Sequence, residues 1–215
     1  MRDIWAALPV KTLDGAKQRL SAALSPMQRQ ELMRAMLRDV LRAVAAAPIA
    51  GIVVNTADPR VAAIAAGFGA RVVSLDAEAG HTAAVAAMAR LLAREGRDGL
   101  LTMPGDIPAV TTREIAGLIA AHGEAPAISI VPAHDARGSN AILCSPPDVL
   151  AFAFGDDSFA PHVQAARAGG ITPAILQATG IGMDVDHPAD LAMLLAAPEA
   201  QATQAVAYLR AAGLG

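Results

Sequence analysis

An α/β fold, with helices in layers on both faces of a mostly parallel mixed sheet, is predicted by three features of the sequence. Short β-branched or leucine-rich runs alternate with alanine-rich stretches long enough for helices, as in a chain built of βαβ units. Hydrophobic residues fill 54% of the 215 positions, aromatics only 3%, and 52 residues are alanine, so the apolar surface consists of small side chains suited to close helix packing. No heptad, repeat, low-complexity tail or linker interrupts this pattern. A chain of this length encloses one sizeable core, and a single domain over residues 1–215 is expected.

The elements follow in order. Ile4 to Val10 reads as the first strand. Ser25-Pro26 pairs a helix-capping hydroxyl with a proline at the first helical position, opening a helix that runs to about Ala47 and stops at Pro48. Gly51 to Asn55 and Arg71 to Leu75 are strands, then Thr82 to Glu95 a helix, Gly99 to Met103 a strand and Thr112 to His122 a helix. Ala127 to Val131 and Ala141 to Cys144 are strands, Ser158 to Ala168 a helix, and Pro173 to Gln177 a strand. A last short strand, Ile181 to Asp186, precedes the C-terminal helices, of which Pro188 to Ala197 is the first.

Composition bounds the function. A net charge of −3 argues against nucleic acid or an anionic membrane as the main partner, since both require a dense basic patch. The uncharged run Ala168 to Met183 is broken by Pro173 and glycines and is too short for a membrane span. The N-terminus has an acid at Asp3 and an apolar run too short for a signal peptide, and the lone Cys144, in an apolar run, reads as a buried core residue in a reducing compartment. A cytoplasmic protein is expected. Of the 17 basic residues only two are lysines, Lys11 and Lys17, and both lie in the first twenty positions.

The familiar phosphate loops are missing. Lys11-Thr12 follows Val10 rather than a glycine, Gly67-Phe-Gly69 precedes a strand instead of following one, and no Gly-x-Ser-x-Gly elbow occurs. Asp-x-Asp occurs near the C-terminus, whereas an aspartyl-phosphate phosphatase needs it after the first strand.

Three clusters carry chemistry instead. Lys11, Lys17 and Arg19 follow the first strand, where an open α/β sheet places its ligands, and would suit a polyanion; a solvated basic stretch is the plainer alternative. Asp106, held between prolines in Pro104-Gly-Asp-Ile-Pro108, follows an apolar strand, and Asp184 and Asp186 stand two apart, so strand alternation would point both to one side. Three such carboxylates would suit Mg²⁺ with a nucleotide, while Asp190, third in a helix, reads as dipole compensation. The third cluster is Arg137-Gly-Ser-Asn140 with Phe154-Gly-Asp-Asp-Ser-Phe159 and His162. Ser158 and Gly155 offer an anion site at a helix start, or Ser158 is a plain cap; Asp156 and Asp157 would repel a phosphate and must turn away, or bind metal or a hydroxyl.

Taken together, these motifs resemble the phospholactate/phosphoenolpyruvate/3-phosphoglycerate guanylyltransferases of coenzyme F-420 biosynthesis. The resemblance runs over nearly the whole chain, through Pro9-Val-Lys-Thr-Leu-Asp-Gly-Ala-Lys-Gln-Arg-Leu20, Leu24-Ser-Pro26, Met36-Leu-Arg-Asp-Val40, Pro104-Gly-Asp-Ile-Pro108, Gly138-Ser-Asn-Ala141, Phe154-Gly-Asp-Asp-Ser-Phe159 with His162, and Asp184-Val-Asp-His-Pro-Ala-Asp-Leu191. It implies a GT-A-like nucleotidyltransferase fold and transfer of GMP from GTP to the phosphate of a small phosphorylated carboxylic acid. Asp106, Asp184 and Asp186 would hold Mg²⁺; Lys11, Lys17 and Arg19 would meet triphosphate or acceptor, with Asp106 also in the catalytic set. Ser139, Gly155 and Ser158 would bind the acceptor phosphate, with Asn140, His162 and Thr82 also on the substrate side. Two departures stand out: Gly80-His-Thr82 where the family has Gly-Leu-Asn, and Ser139 where it has threonine. The chemistry is self-consistent, because a phosphate monoester is largely dianionic at pH 7 and attacks without a general base. A nucleotidyltransferase for a sugar phosphate or another cofactor precursor, a non-catalytic nucleotide-binding homologue, and assembly into a homo-oligomer stay open at this point.

Overall fold

The computed structural model describes residues 2–75 and 80–214. Seven strands, β1 (Ile4–Pro9), β2 (Gly51–Asn55), β3 (Arg71–Val73), β4 (Gly99–Thr102), β5 (Ala127–Pro132), β6 (Ser139–Ser145) and β7 (Ala174–Ile175), form one sheet in the order β3-β2-β1-β4-β6-β5-β7. All neighbours are parallel except β6, which runs against both β4 and β5. The alternation expected of strands sets the two faces. Ile4, Ala6 and Leu8 of β1 face one core, while Ala7 between them faces the other.

Helices α1 (Pro26–Ala45), α2 (Pro59–Ala66) and α4 (Thr112–Ala121) cover the first face, and α3 (His81–Arg94) and α5 (Phe159–Ala168) cover the second. α6 (Thr179–Gly182) is a single turn, and α7 (Pro188–Ala196) and α8 (Gln204–Ala211) pack on α1 through Leu32, Met36, Leu191, Leu194, Val206 and Leu209. No helix among the described residues is long and apolar enough to cross a membrane.

The capping signal at Ser25-Pro26 is realised in full. Ser25 Oγ accepts from Gln28 N, and Gln28 Oε1 accepts from Ser25 N. Cys144 is buried in β6, as expected, and burial pushes its thiol up.

Two expectations need correction. α2 was not foreseen, although Asp58-Pro59 is the same cap-and-proline pair; Asp58 accepts from Arg60 N. Ile181 to Asp186 is not a strand. Its start belongs to α6, where Gly180 N donates to Glu114 Oε1 at 2.6 Å, and the rest has no sheet partner among the described residues. A Cβ on Gly180 would lie 2.2 Å from Ala109 O, so only glycine permits this docking.

Candidate active site

The reversed direction of β6 decides where the site lies. Its first residues stand at the same sheet edge as the last residues of β1 and β4, so segments remote in sequence meet there. That edge is where open α/β sheets hold ligands.

The loop after β1 is pinned from beneath. Leu13 is buried and its N–H donates to Asp58 Oδ2 at 2.9 Å, while the Arg60 guanidinium holds the Asp58 carboxyl well below the usual carboxylate range. Lys17 then takes a left-handed conformation (φ 53°, ψ 46°), which costs a non-glycine residue about 1 kcal/mol and directs its side chain inward. The side chain is 7% exposed, and its ammonium donates both to Asp106 Oδ2 and, at 2.7 Å, to Asp186 Oδ1. Burial by itself would lower the Lys17 pKa, but the two carboxylates outweigh it and raise it. Asp186 shows the converse: burial pushes up, and Lys17 draws it below the ordinary value. Lys11 is exposed, with no ion-pair partner among the described residues.

Asp106 is carried by the turn after β4, and Val185 N donates to Asp106 O at 3.1 Å, fastening the 183–186 segment beside it. Asp184 turns elsewhere. Its Oδ1 accepts from Asn140 Nδ2 at 3.0 Å and lies 3.7 Å from His134 Nδ1. Burial raises its pKa, and the charges of Asp106 and Asp186 add to the rise. Arg19, half-exposed, reaches Asp156 at 3.3 Å and Asp186 at 3.5 Å.

Across the edge, Ser139 N donates to Ser158 Oγ at 3.1 Å, so Ser158 does not cap α5 with its side chain. Ala153 N donates to His162 Nε2 at 2.9 Å; that nitrogen is therefore unprotonated, and Nδ1 donates to Ser139 Oγ at 3.0 Å. Asp157 is matched by Arg137 at 2.5 Å and Asp156 by Arg19, so neither acid faces the serines uncompensated. Thr82 Oγ is occupied by the backbone of Phe154, accepting from its N–H at 3.0 Å. Phe154 stacks edge-on against both His81 and His162, at 4.5 and 4.7 Å between centroids.

The family profile described as "Guanylyl transferase CofC like" matches residues 4–215. The chain belongs to this family. A phosphoenolpyruvate guanylyltransferase of Rubrobacter xylanophilus is 37% identical over 191 residues, 89% of this chain and 93% of the relative. One of Roseiflexus castenholzii is 34% identical and covers 95% of this chain and 94% of its own. Among solved structures, a Desulfovibrio desulfuricans G20 protein described as a nucleotide-diphospho-sugar transferase superposes with a TM-score of 0.79 at 18% identity, covering 99% of this chain and 96% of that one. A nucleotidyl transferase from Methanothermobacter gives 0.66 at 16%, covering 98% and 100%. The fold is thus that of the nucleotidyltransferases, and the CofC-like chain is a nucleotidyltransferase.

Within this CofC-like chain, the expected residues fall into two groups. Lys17, Arg19, Asp106 and Asp186 are joined by ion pairs; Ser139 and Ser158 are buried and joined to each other, with Gly155 exposed nearby in the chain. Several of them are turned toward protein. His162 is 0% exposed and bonded to Ala153 N and Ser139 Oγ. Asn140 is buried and serves Asp184 and Ile181 O, and Thr82 braces Phe154. Asp190 accepts from Asp186 N and His187 N, the helix-start role expected of it.

For Mg²⁺ the fit is partial but specific. One oxygen of Asp106 and one of Asp186 converge on a single cation, the Lys17 ammonium, and two carboxylates plus substrate phosphates are the donor set Mg²⁺ takes. The expected trio is not gathered: Asp184 is held by Asn140, and among the described residues no three acidic, His or Cys side chains form a metal-ready group. The motifs of the sequence single out neither His81 nor His134. His81 lay inside the Gly80-His-Thr82 departure, the one signal that could have singled it out; His134 carried none.

Proposed function

We propose that this protein transfers GMP from GTP to the phosphate of a small phosphorylated carboxylic acid, releasing pyrophosphate, as a step of coenzyme F-420 biosynthesis. Phosphoenolpyruvate is the first acceptor to test, being the substrate named for the relatives; 2-phospholactate and 3-phosphoglycerate are the others. The observation that carries the reading is the convergence of Asp106 and Asp186 on one cation, with Ser139 N donating to Ser158 Oγ at the start of β6.

In this reading an acceptor phosphate oxygen forms a bond to the α-phosphorus of GTP, the α–β bridging bond breaks, and pyrophosphate leaves with that electron pair. No proton is removed, so the lack of an aligned base costs nothing. Mg²⁺ held by Asp106 and Asp186 would neutralise charge on the α-phosphate and the departing pyrophosphate. Lys11 and Arg19 supply further positive charge at the mouth, and Ser139 and Ser158 orient the acceptor phosphate.

Pyrophosphate release from GTP, measured with each acceptor in the presence of Mg²⁺, tests this directly. Release that depends on both GTP and one of the three acids is expected. Release only with a sugar phosphate, or nucleotide binding without turnover, would overturn it.

A further inference from the structure

Two cations seated on the same two carboxylate oxygens repel each other strongly. The Lys17 ammonium already uses the inward oxygens of Asp106 and Asp186, at 2.7 Å from the latter, and its stem is almost fully enclosed. A Mg²⁺ ion seated on those oxygens would need them at about 2.0–2.1 Å, which puts it against the ammonium nitrogen at a separation where like charges repel strongly.

We propose that Lys17 is an internal competitor for the divalent cation: ammonium and metal are alternative occupants of the position between Asp106 and Asp186, and metal entry drives the ammonium off both carboxylates. The identity of the metal rests on the proposed function above; the competition itself rests on the geometry of Lys17.

Three features support it. The ammonium bridges the two carboxylates, so one oxygen of each already faces a common cation position. Lysine, unlike arginine, has three donors on a flexible four-carbon stem, and once displaced it is free to meet phosphate oxygens. Its place in the loop matters as well. Lys17 sits at the end of the segment pinned by Leu13 and Asp58, so the displaced group stays within the site.

The chain has only two lysines, which makes a direct test feasible. In wild-type protein carrying ¹⁵N-labelled lysine, without nucleotide, two side-chain nitrogens are present, and Lys11→Met, at an exposed position, assigns them by deletion. On titration with Mg²⁺, the Lys17 nitrogen is expected to shift and lose its protection from exchange. A Lys17 signal unmoved at Mg²⁺ saturation would overturn the proposal, and this arm needs no change at Lys17.

Calorimetry of Mg²⁺ binding supplies the second arm. If the ammonium holds the position nine times in ten, Lys17→Met binds Mg²⁺ about tenfold more tightly than wild type. Lys11→Met removes the same charge from the same loop without touching either carboxylate, and is expected to change the affinity less than twofold. A Lys17→Met protein that binds no more tightly than wild type, binding absent from both included, overturns the proposal. So does an equal gain in Lys11→Met, which would mark a simple charge effect. Wild-type protein that displaces Lys17 on Mg²⁺ addition yet releases no pyrophosphate with any of the three acceptors would sink the proposed reaction and leave the competition standing.

Discussion

Ser139 has its backbone N–H spent on Ser158 and its hydroxyl oxygen accepting from His162, so the one group it has left to offer is its hydroxyl proton. The burial of His162 and the donation from Ala153 N fix which ring nitrogen carries hydrogen, and hence which way that hydroxyl points. Ser139→Ala should lower kcat/KM for the acceptor about tenfold, as expected for one hydrogen bond to a charged phosphate, with the KM for GTP nearly unchanged in steady-state assays. An equal loss for both substrates would remove Ser139 from the acceptor side. His162→Asn, which keeps a donor near the Nδ1 position, should retain more of the acceptor affinity than His162→Leu. At this scale the motifs name residues that the fold brings near one another, but not the contacts each makes. Motif position named His162, Asn140 and Thr82 as substrate residues, yet each is turned toward protein, because burial and partner choice arise only when α3, α5 and β6 meet.

The single-turn helix α6 shows how an element can be misread and still be decisive. Its sequence looked like the start of a strand because Ile181 and Val185 are β-branched and spaced for alternation. What bends it into a turn is tertiary: Glu114, already bonded to Thr111 N and Oγ at 2.9 Å, accepts from Gly180 N, and the chain then runs into Asp184 and Asp186. Gly180→Ala should cost about 2–3 kcal/mol in urea denaturation, because the added methyl meets backbone that has no room to yield. It should also reduce turnover by displacing the acidic segment. Wild-type stability in that variant would show the contact to be soft. By contrast α1, whose cap, proline and apolar periodicity all agree, was legible to within two residues at its C-terminal end.

For the molecule as a whole, the fold class was written in the alternation of short apolar runs with alanine-rich stretches, whereas strand order and the reversal of β6 were not, since nothing local to residues 139–145 encodes direction. The buried histidines give a global signature. His122, between Ser129 Oγ at 2.8 Å and Ser145 Oγ at 3.1 Å, and His162 are both pulled by burial down to about 4. In the unfolded chain each protonates near 6.5. The unfolded state therefore binds more protons between those values, so their contribution to stability is complete above about pH 6.5 and is lost as pH falls toward 4. Chemical denaturation midpoints should fall across that window, and His122→Asn should flatten the fall; a slope unchanged in the variant would exclude His122 as its source. The reversal of β6 has one more consequence. Ser139 and Asn140 are consecutive on one strand, the first joined to Ser158 and His162 and the second holding Asp184, so the two clusters are indexed by a single peptide unit. Successive residues of a strand point to opposite faces, and a slip of one register would exchange the two. In the proposed reaction, the span between the two substrates would be gauged by backbone pleat rather than by loop length, a ruler that surface insertions elsewhere in the chain leave untouched.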